Sequence, residues 1–366
     1  MILERIHIIN YRNLPAAELS FSRNVNCFVG NNGAGKTNLL DAIYYLSFCK
    51  SSAIASDAAN VMHGEDFFLI QGVYEGDMQV SAAFRTGGRK VVKRADKAYR
   101  RYSEHVGLIP LIMISPGDMQ LVSGGSEERR RFMDVAIAQY APDYLAALIR
   151  YGRTLKQRNA LLKQEDEPDA AMFDVLEKMM AADAVIIYKE RAAFADEFRG
   201  YFQNVYSRLG VADESVNAVY STHADRGPLD RVLREGRTKE RIVGYTLYGP
   251  HRDDLELQFG GYALRGFGSQ GQTKTYFIAM KLAQYALLRE RGETGTPILL
   301  LDDIFDKLDD TRVGRIIDYV AGEAGMGQIF ITDTSSSHLD SILRRTKYEY
   351  KLFKVENGKA TEQAHR

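Results

Sequence analysis

The chain has 366 residues, 45% of them hydrophobic and 26% charged, a balance that fits an ordinary globular protein and excludes a fibrous or wholly disordered one. Lysine plus arginine equals aspartate plus glutamate at 48 each, so net charge points to no polyanion and any nucleic acid must be held by a local patch. Cys27 and Cys49 make neither a disulfide framework nor a metal-binding spacing, no run approaches the roughly 18 apolar residues of a membrane span, and MILERIHIIN lacks a signal-peptide layout, so a cytoplasmic protein with no membrane contact is expected.

In chain order, residues 1–10, ELSFS and NVNCFVG read as short strands leading into GNNGAGKT at 30–37, and KTNLLDAIYYLSF reads as a helix. Residues 66–94 read as an antiparallel meander turned at Glu75-Gly76-Asp77 and at Gly87-Gly88. After Ser126 helical periodicity runs to about Gly210, broken near Pro142 and at QEDEPDA. Phe173, Leu176, Met180, Ile187, Phe194, Phe198 and Phe202 form one apolar stripe, and a helix of about 40 residues would span roughly 60 Å. Strand-like segments return from Tyr245, and the α/β material closes with PILLLDD and QIFITD. The expected architecture is α/β: an ABC-type P-loop ATPase head with an antiparallel β meander, made from residues 1–125 and 241–366, with a helical lobe at 126–240 inserted.

GNNGAGKT fits G-x-x-x-x-G-K-[ST] between a strand and a helix, which assigns phosphate binding to Gly30, Asn31, Asn32, Gly33, Ala34, Gly35, Lys36, Thr37 and Asn38. The glycines let backbone N–H groups face the phosphates, Lys36 supplies a cation, and Thr37 offers its hydroxyl to Mg²⁺. In PILLLDD an apolar strand delivers Asp302 to its carboxyl end, where it would hold Mg²⁺ through water, with Asp303 placed to orient or deprotonate the attacking water. Alone, such an acidic pair is more often an exposed strand end. GSQGQ, with Ser269, Gln270, Gly271 and Gln272, opens another helix whose free N–H groups would attract phosphate. In isolation it also reads as an ordinary capped helix.

The order of phosphate loop, S-x-G-Q and acidic strand end is that of ATP-binding-cassette ATPases. NYRN, GNNGAGKTNLLDAIYYL, SPGDMQLVSGGSEERRRFMD, YGPHRDDLEL, GSQGQTK and LLLDDIFDKLD, in this order across nearly the whole chain, resemble the RecF family of bacterial DNA replication and repair ATPases, related to the SMC class. The resemblance implies ATP and Mg²⁺ as cofactors and a head-to-tail homodimer in which Ser269–Gln272 of one copy cover the γ-phosphate of the other. It also implies binding to duplex DNA near single-strand gaps, recombinase loading with RecO and RecR, weak DNA-stimulated hydrolysis used as a switch, and a nucleoid location. Asp309 would face the partner copy. Two departures from transporter-type cassettes bear on hydrolysis: Asp303 replaces the usual glutamate, and no histidine follows QIFITD directly, His338 being more distant and read as incidental. The competing readings are the ATPase subunit of a membrane transporter and a non-hydrolysing ATP switch.

The densest positive stretch, from Arg85 to Arg101, holds Arg89, Lys90, Lys93 and Arg94 as candidates for DNA phosphate, with Tyr99 and Tyr102 interleaved. Its rival reading is a solvated sheet edge guarded by charge. Arg129, Arg130 and Arg131 would either pair with acids or reach the nucleotide. No base-reading module is present in the sequence, so DNA binding is expected to be independent of base sequence.

Overall fold

Alternating side chains start the fold. In β1 (Leu3–Tyr11), Ile6 and Ile8 are buried while Arg5 between strands is exposed, and β1 pairs antiparallel with β2 (Leu14–Ser20). The computed structural model describes residues 1–166, 169–209, 215–264, 270–304, 310–320, 327–334 and 348–363, with Leu339 and Leu343. β3 (Val25–Val29) is buried at every position, as a strand covered on both faces must be, and α1 (Lys36–Phe48) follows the phosphate loop. The meander is β4 (Phe67–Tyr74), β5 (Met78–Arg85), β6 (Val91–Arg94) and β7 (Lys97–Ala98). Its tight turns use the left-handed conformation at Gly76, Asp77 and Gly87, as the turn residues predict. β8 (Leu111–Ile114) is a short buried strand not foreseen in the sequence.

The middle stretch opens with α2 (Gln120–Ser123), α3 (Ser126–Ile137) and α4 (Pro142–Leu162), the last with proline at its start. The 40-residue α5 (Ala170–Leu209) packs along α4, and its expected stripe faces inward, with Phe194, Phe198 and Phe202 stacked at 5.3 and 5.7 Å. Then come β9 (Val216–Ser221), α6 (Leu229–Val243), β10 (Asp254–Phe259), β11 (Tyr262–Ala263) and α7 (Gln270–Arg291). Strands β11, β10 and β9 form an antiparallel sheet in that order, packed on α3 and α5.

The chain returns through β12 (Ile298–Leu301), α8 (Asp310–Asp318), β13 (Ile329–Asp333), β14 (Tyr350–Glu356) and β15 (Lys359–Gln363). These complete a six-stranded sheet ordered β15-β14-β3-β13-β12-β8, parallel except for β15, beside the antiparallel sheet β2-β1-β4-β5-β6-β7. Buried Gln328 staples the two: it accepts from Leu3 N–H at 2.8 Å and donates to the carbonyls of Leu3 and Ser22 at 2.8 and 2.9 Å. Phe21, Phe28, Phe330 and Phe353 fill the space between, with Phe21 and Phe330 edge-on at 4.8 Å.

Two compact units result: Met1–Asp118 with Gln284–Arg366, and Met119–Ala283. The expected divisions at 125/126 and 240/241 are therefore displaced. The small sheet and the first part of α7 belong to the middle unit because β9 and β10 bury their apolar side chains against its helices.

Candidate nucleotide site

The loop after β3 turns on two glycines in the left-handed region, Gly33 (φ 79°) and Gly35 (φ 114°), which other residues adopt only under strain. Lys36, at the first turn of α1, is buried and donates from Nζ to the carbonyls of Gly30 (2.7 Å) and Asn31 (3.0 Å). It thereby bridges the rim of the loop with its ammonium. Thr37 points the other way. Its hydroxyl donates to Asp302 Oδ1 at 2.9 Å, and the same oxygen receives the Thr332 hydroxyl at 2.8 Å. Burial pushes the Asp302 carboxyl above the usual aspartate value, against the two threonine hydrogen bonds and with the neighbouring Asp303 adding to the rise. Asp303 sits at φ 47°, a conformation costing a non-glycine residue about 1 kcal/mol or more, and its N–H donates to Thr332 Oγ1 at 2.9 Å. Thr332, at the end of β13, thus ties both acids together.

The loop is braced from outside by segments to which the sequence reading gave no role. Asn13, in the turn between β1 and β2, donates to the Gly33 carbonyl at 3.1 Å and accepts from Asn38 at 2.7 Å. A Cβ on Gly35 would stand 2.9 Å from Asn13 Oδ1. The turn of the β14–β15 hairpin closes the other side: Gly358 N–H donates to Ala34 O at 2.9 Å, and a Cβ there would meet the Asn13 carbonyl at 2.0 Å. Arg12 reaches Asn38 (2.8 Å), Ser51 (2.7 Å) and buried Asp41 (2.9 Å), fixing the first turns of α1. NYRN carried this signal in the sequence; the hairpin turn, 322 residues downstream of Lys36, carried none that spacing could reveal. Beside the loop lies a groove of about 870 Å³, lined by Gly30–Ala34 and by Thr334, Lys354 and Glu356.

The structure brings Gly30–Asn38, Asp302 and Asp303 into one site. Gln270 and Gly271 open α7 in the middle unit, where the Gly271 carbonyl accepts from Thr275 at 3.0 Å and nothing among the described residues comes within 4 Å of a Cβ built on Gly271. Gln272 is half-buried one residue on. Ser269, the side chain of Gln270, Asp309 and His338 lie outside the described residues.

In the basic stretch, Arg89, Lys93 and Arg94 are exposed at the edge formed by β6 and β7. Lys90 is not available for phosphate and is corrected to a structural role: it donates to the Cys49 carbonyl at 2.7 Å, pairs with Asp57 at 3.0 Å and lies over the rings of Tyr45 and Tyr102. Arg129 pairs through two nitrogens with Asp254 (2.7 and 2.8 Å), and Arg130 donates to the Asp253 carbonyl at 2.7 Å, so for these two the partners are an acid and the chain backbone.

A Gly-rich loop between a buried parallel strand and a helix, facing an acid at the end of a second strand of the same sheet, defines a P-loop ATPase head. The RecF/RecN/SMC N terminal domain matches residues 2–361. A DNA replication and repair protein RecF from Phocaeicola vulgatus is 52% identical over 366 residues, covering 99% of this chain and 98% of the relative. The chain belongs to the RecF family. A solved structure of the recombination mediator protein RecF-ATP in the RecFOR pathway superposes with a TM-score of 0.88 at 27% identity, covering 99% of this chain and 98% of the other. The Smc head bound to the C-winged helix domain of ScpA shares the fold, with a TM-score of 0.58 at 13% identity over 99% and 97% of the two chains. Among the described residues no helix is long and apolar enough to cross a membrane.

Proposed function

We propose that this chain is an ATP-gated clamp on duplex DNA, acting in replication and recombinational repair with RecR and RecO at single-strand gaps and located in the cytoplasm on the nucleoid. The observation that carries the nucleotide half is the 2.9 Å contact of Thr37 with Asp302 beside Lys36. Two hard oxygen ligands of this kind suit Mg²⁺, and Thr37 and Asp302 would hold it. Mg²⁺ when bound neutralises charge on the β- and γ-phosphates. Lys36 moves from the loop carbonyls to the phosphate oxygens, the N–H groups of Gly33–Lys36 cradle them, and Asp303 accepts the proton of the attacking water. Turnover is slow and serves to reset the clamp.

The second half is dimerisation. Gln270 and Gly271 open α7, and a helix start of this kind presents N–H groups that suit a nucleotide phosphate. In a head-to-tail homodimer Ser269–Gln272 of one copy cover the γ-phosphate held by the other. Arg89, Lys93 and Arg94 supply phosphate contacts to duplex or gapped DNA without base reading.

Sedimentation with and without ATP, Mg²⁺ and a short duplex tests the reading. A dimer that forms only with ATP is expected. Ser269→Arg should prevent it while leaving the monomer's ATP affinity at the parental value. Loss of ATP binding in that monomer would place the second loop in cis and sink the dimer half of the proposal.

A further inference from the structure

The GPHR turn of the middle unit, residues 249–252, has no part in the nucleotide site, yet it is built with unusual care. Arg191, buried in α5, donates to the Pro250 carbonyl at 2.7 Å and pairs with Asp253 (2.8 Å) and Asp134 (2.9 Å). Tyr220 and Thr222 complete the shell of Asp253. Gly249 lies at φ 127° with the Tyr151 hydroxyl 2.3 Å from where a Cβ would be, so no other residue fits. Thr246 O, an obligate acceptor, takes a hydrogen from His251 Nε2 at 3.1 Å, which leaves Nδ1 to accept from Tyr151 at 2.8 Å and keeps the ring neutral. The turn cannot shift without breaking several of these bonds.

Its outer surface gathers cations. The Arg226 guanidinium lies 5.2 Å from the ring centre of Tyr248, and that of Arg252 lies 5.0 Å from Tyr245. His223 packs on Tyr248 at 5.9 Å. Arg226 and Arg252 are exposed, and among the described residues neither has an acidic partner. Both arginines stand close enough to His223 to push its pKa down, Arg226 most after burial, and Arg252 also lowers that of His251.

We propose that this turn is a second duplex-binding face, in which Arg226 and Arg252, each laid on a tyrosine, contact DNA backbone phosphates. The inference rests on the DNA-binding reading above. Exposed cations with no acidic partner among the described residues leave their charge to an outside anion, and duplex DNA carries one charge per roughly 1.7 Å of axis. A guanidinium that spends its face on a ring leaves edge N–H groups for phosphate oxygens: Arg226 keeps its edge, and Arg252, one of whose terminal nitrogens donates to the Thr246 carbonyl at 3.0 Å, keeps the remainder. The contact is made to backbone phosphates and is therefore blind to base sequence.

The test is duplex affinity of the full chain with ATP across a salt series. Replacing Arg226→Gln and Arg252→Gln together should flatten the slope of log K against log salt by roughly 1.8, at about 0.9 per phosphate lost, with ATP affinity unchanged. Arg226→Lys with Arg252→Lys should keep the parental slope, because counterion release counts charge. A parental slope in the glutamine pair overturns the inference alone and turns attention to an acidic protein as the occupant. A lysine pair as flat as the glutamine pair also overturns it. A parent that shows no salt-dependent duplex binding overturns this inference and the DNA-binding reading together.

Discussion

Two aspartate pairs, Asp253-Asp254 and Asp302-Asp303, look alike in sequence and end in different chemistry. Both Asp253 and Asp302 are buried, and burial raises the pKa of each. Asp253 is answered by the Arg191 guanidinium and Asp254 by Arg129. Asp302 Oδ1 is met by two threonine hydroxyls, with Lys36 engaged on loop carbonyls instead of on the acid. A buried carboxylate neutralised by arginine is finished architecture. One met, among the described residues, by hydroxyls keeps a negative charge that a divalent cation would neutralise.

The contrast can be broken by experiment. The largest effect is expected for Arg191→Met, which leaves Asp253 and Asp134 without their shared cation and should cost about 3–5 kcal/mol in urea unfolding. Asp303→Asn should leave ATP binding intact and slow hydrolysis roughly 100- to 1000-fold in single-turnover assays, since shape is kept and the proton acceptor is lost. A parental rate would require another acid. Lys36→Ala should raise the ATP Kd roughly 100-fold by equilibrium binding, the worth of one or two charge-assisted hydrogen bonds, with stability little changed.

The next prediction concerns pH. The His251 pKa is lowered from 6.5 to about 4, mainly by burial. The unfolded chain binds a proton there below 6.5 and the folded one does not, so stability is full above 6.5 and falls as pH drops towards 4. Between pH 7.5 and 5 this group should remove about 2 kcal/mol, and His251→Gln should remove that part of the pH dependence. An effect of about the same size belongs to Thr332→Val, about 2 kcal/mol in stability from the lost hydrogen bonds to Asp302 and from Asp303 N–H, with Mg²⁺-dependent ATP binding weakened beyond that amount because Asp302 loses half of its alignment.

Much of this was legible in the chain. The phosphate loop, the acidic strand end and the α5 stripe are local patterns, and periodicity or fixed spacing reports them directly. β8, β9, β14 and β15 were missed; β8, β9 and β14 gain their stability from strands distant in sequence, as β14 does from β3, and β15 hangs on β14. Lys90 was misjudged for a related reason: charge density along a chain does not show which cation turns inward, and its partners Cys49 and Asp57 lie outside the basic run. Thr332 carries no signature of its own, and NYRN marks Asn13 without saying what it touches. Only the fold places their side chains on the acids and the loop.

The contact between Gly358 and Ala34 sets an order on the making of the protein. The phosphate loop is synthesised among the first tenth or so of the chain, yet one of its braces lies in the hairpin near residue 358, and β3 lacks its β14 neighbour until residues 350–356 are available. During synthesis a nascent chain therefore holds its nucleotide loop unfinished until nearly every other segment has emerged. A chain cut short before residue 350 therefore lacks both the brace and the β14 neighbour of β3.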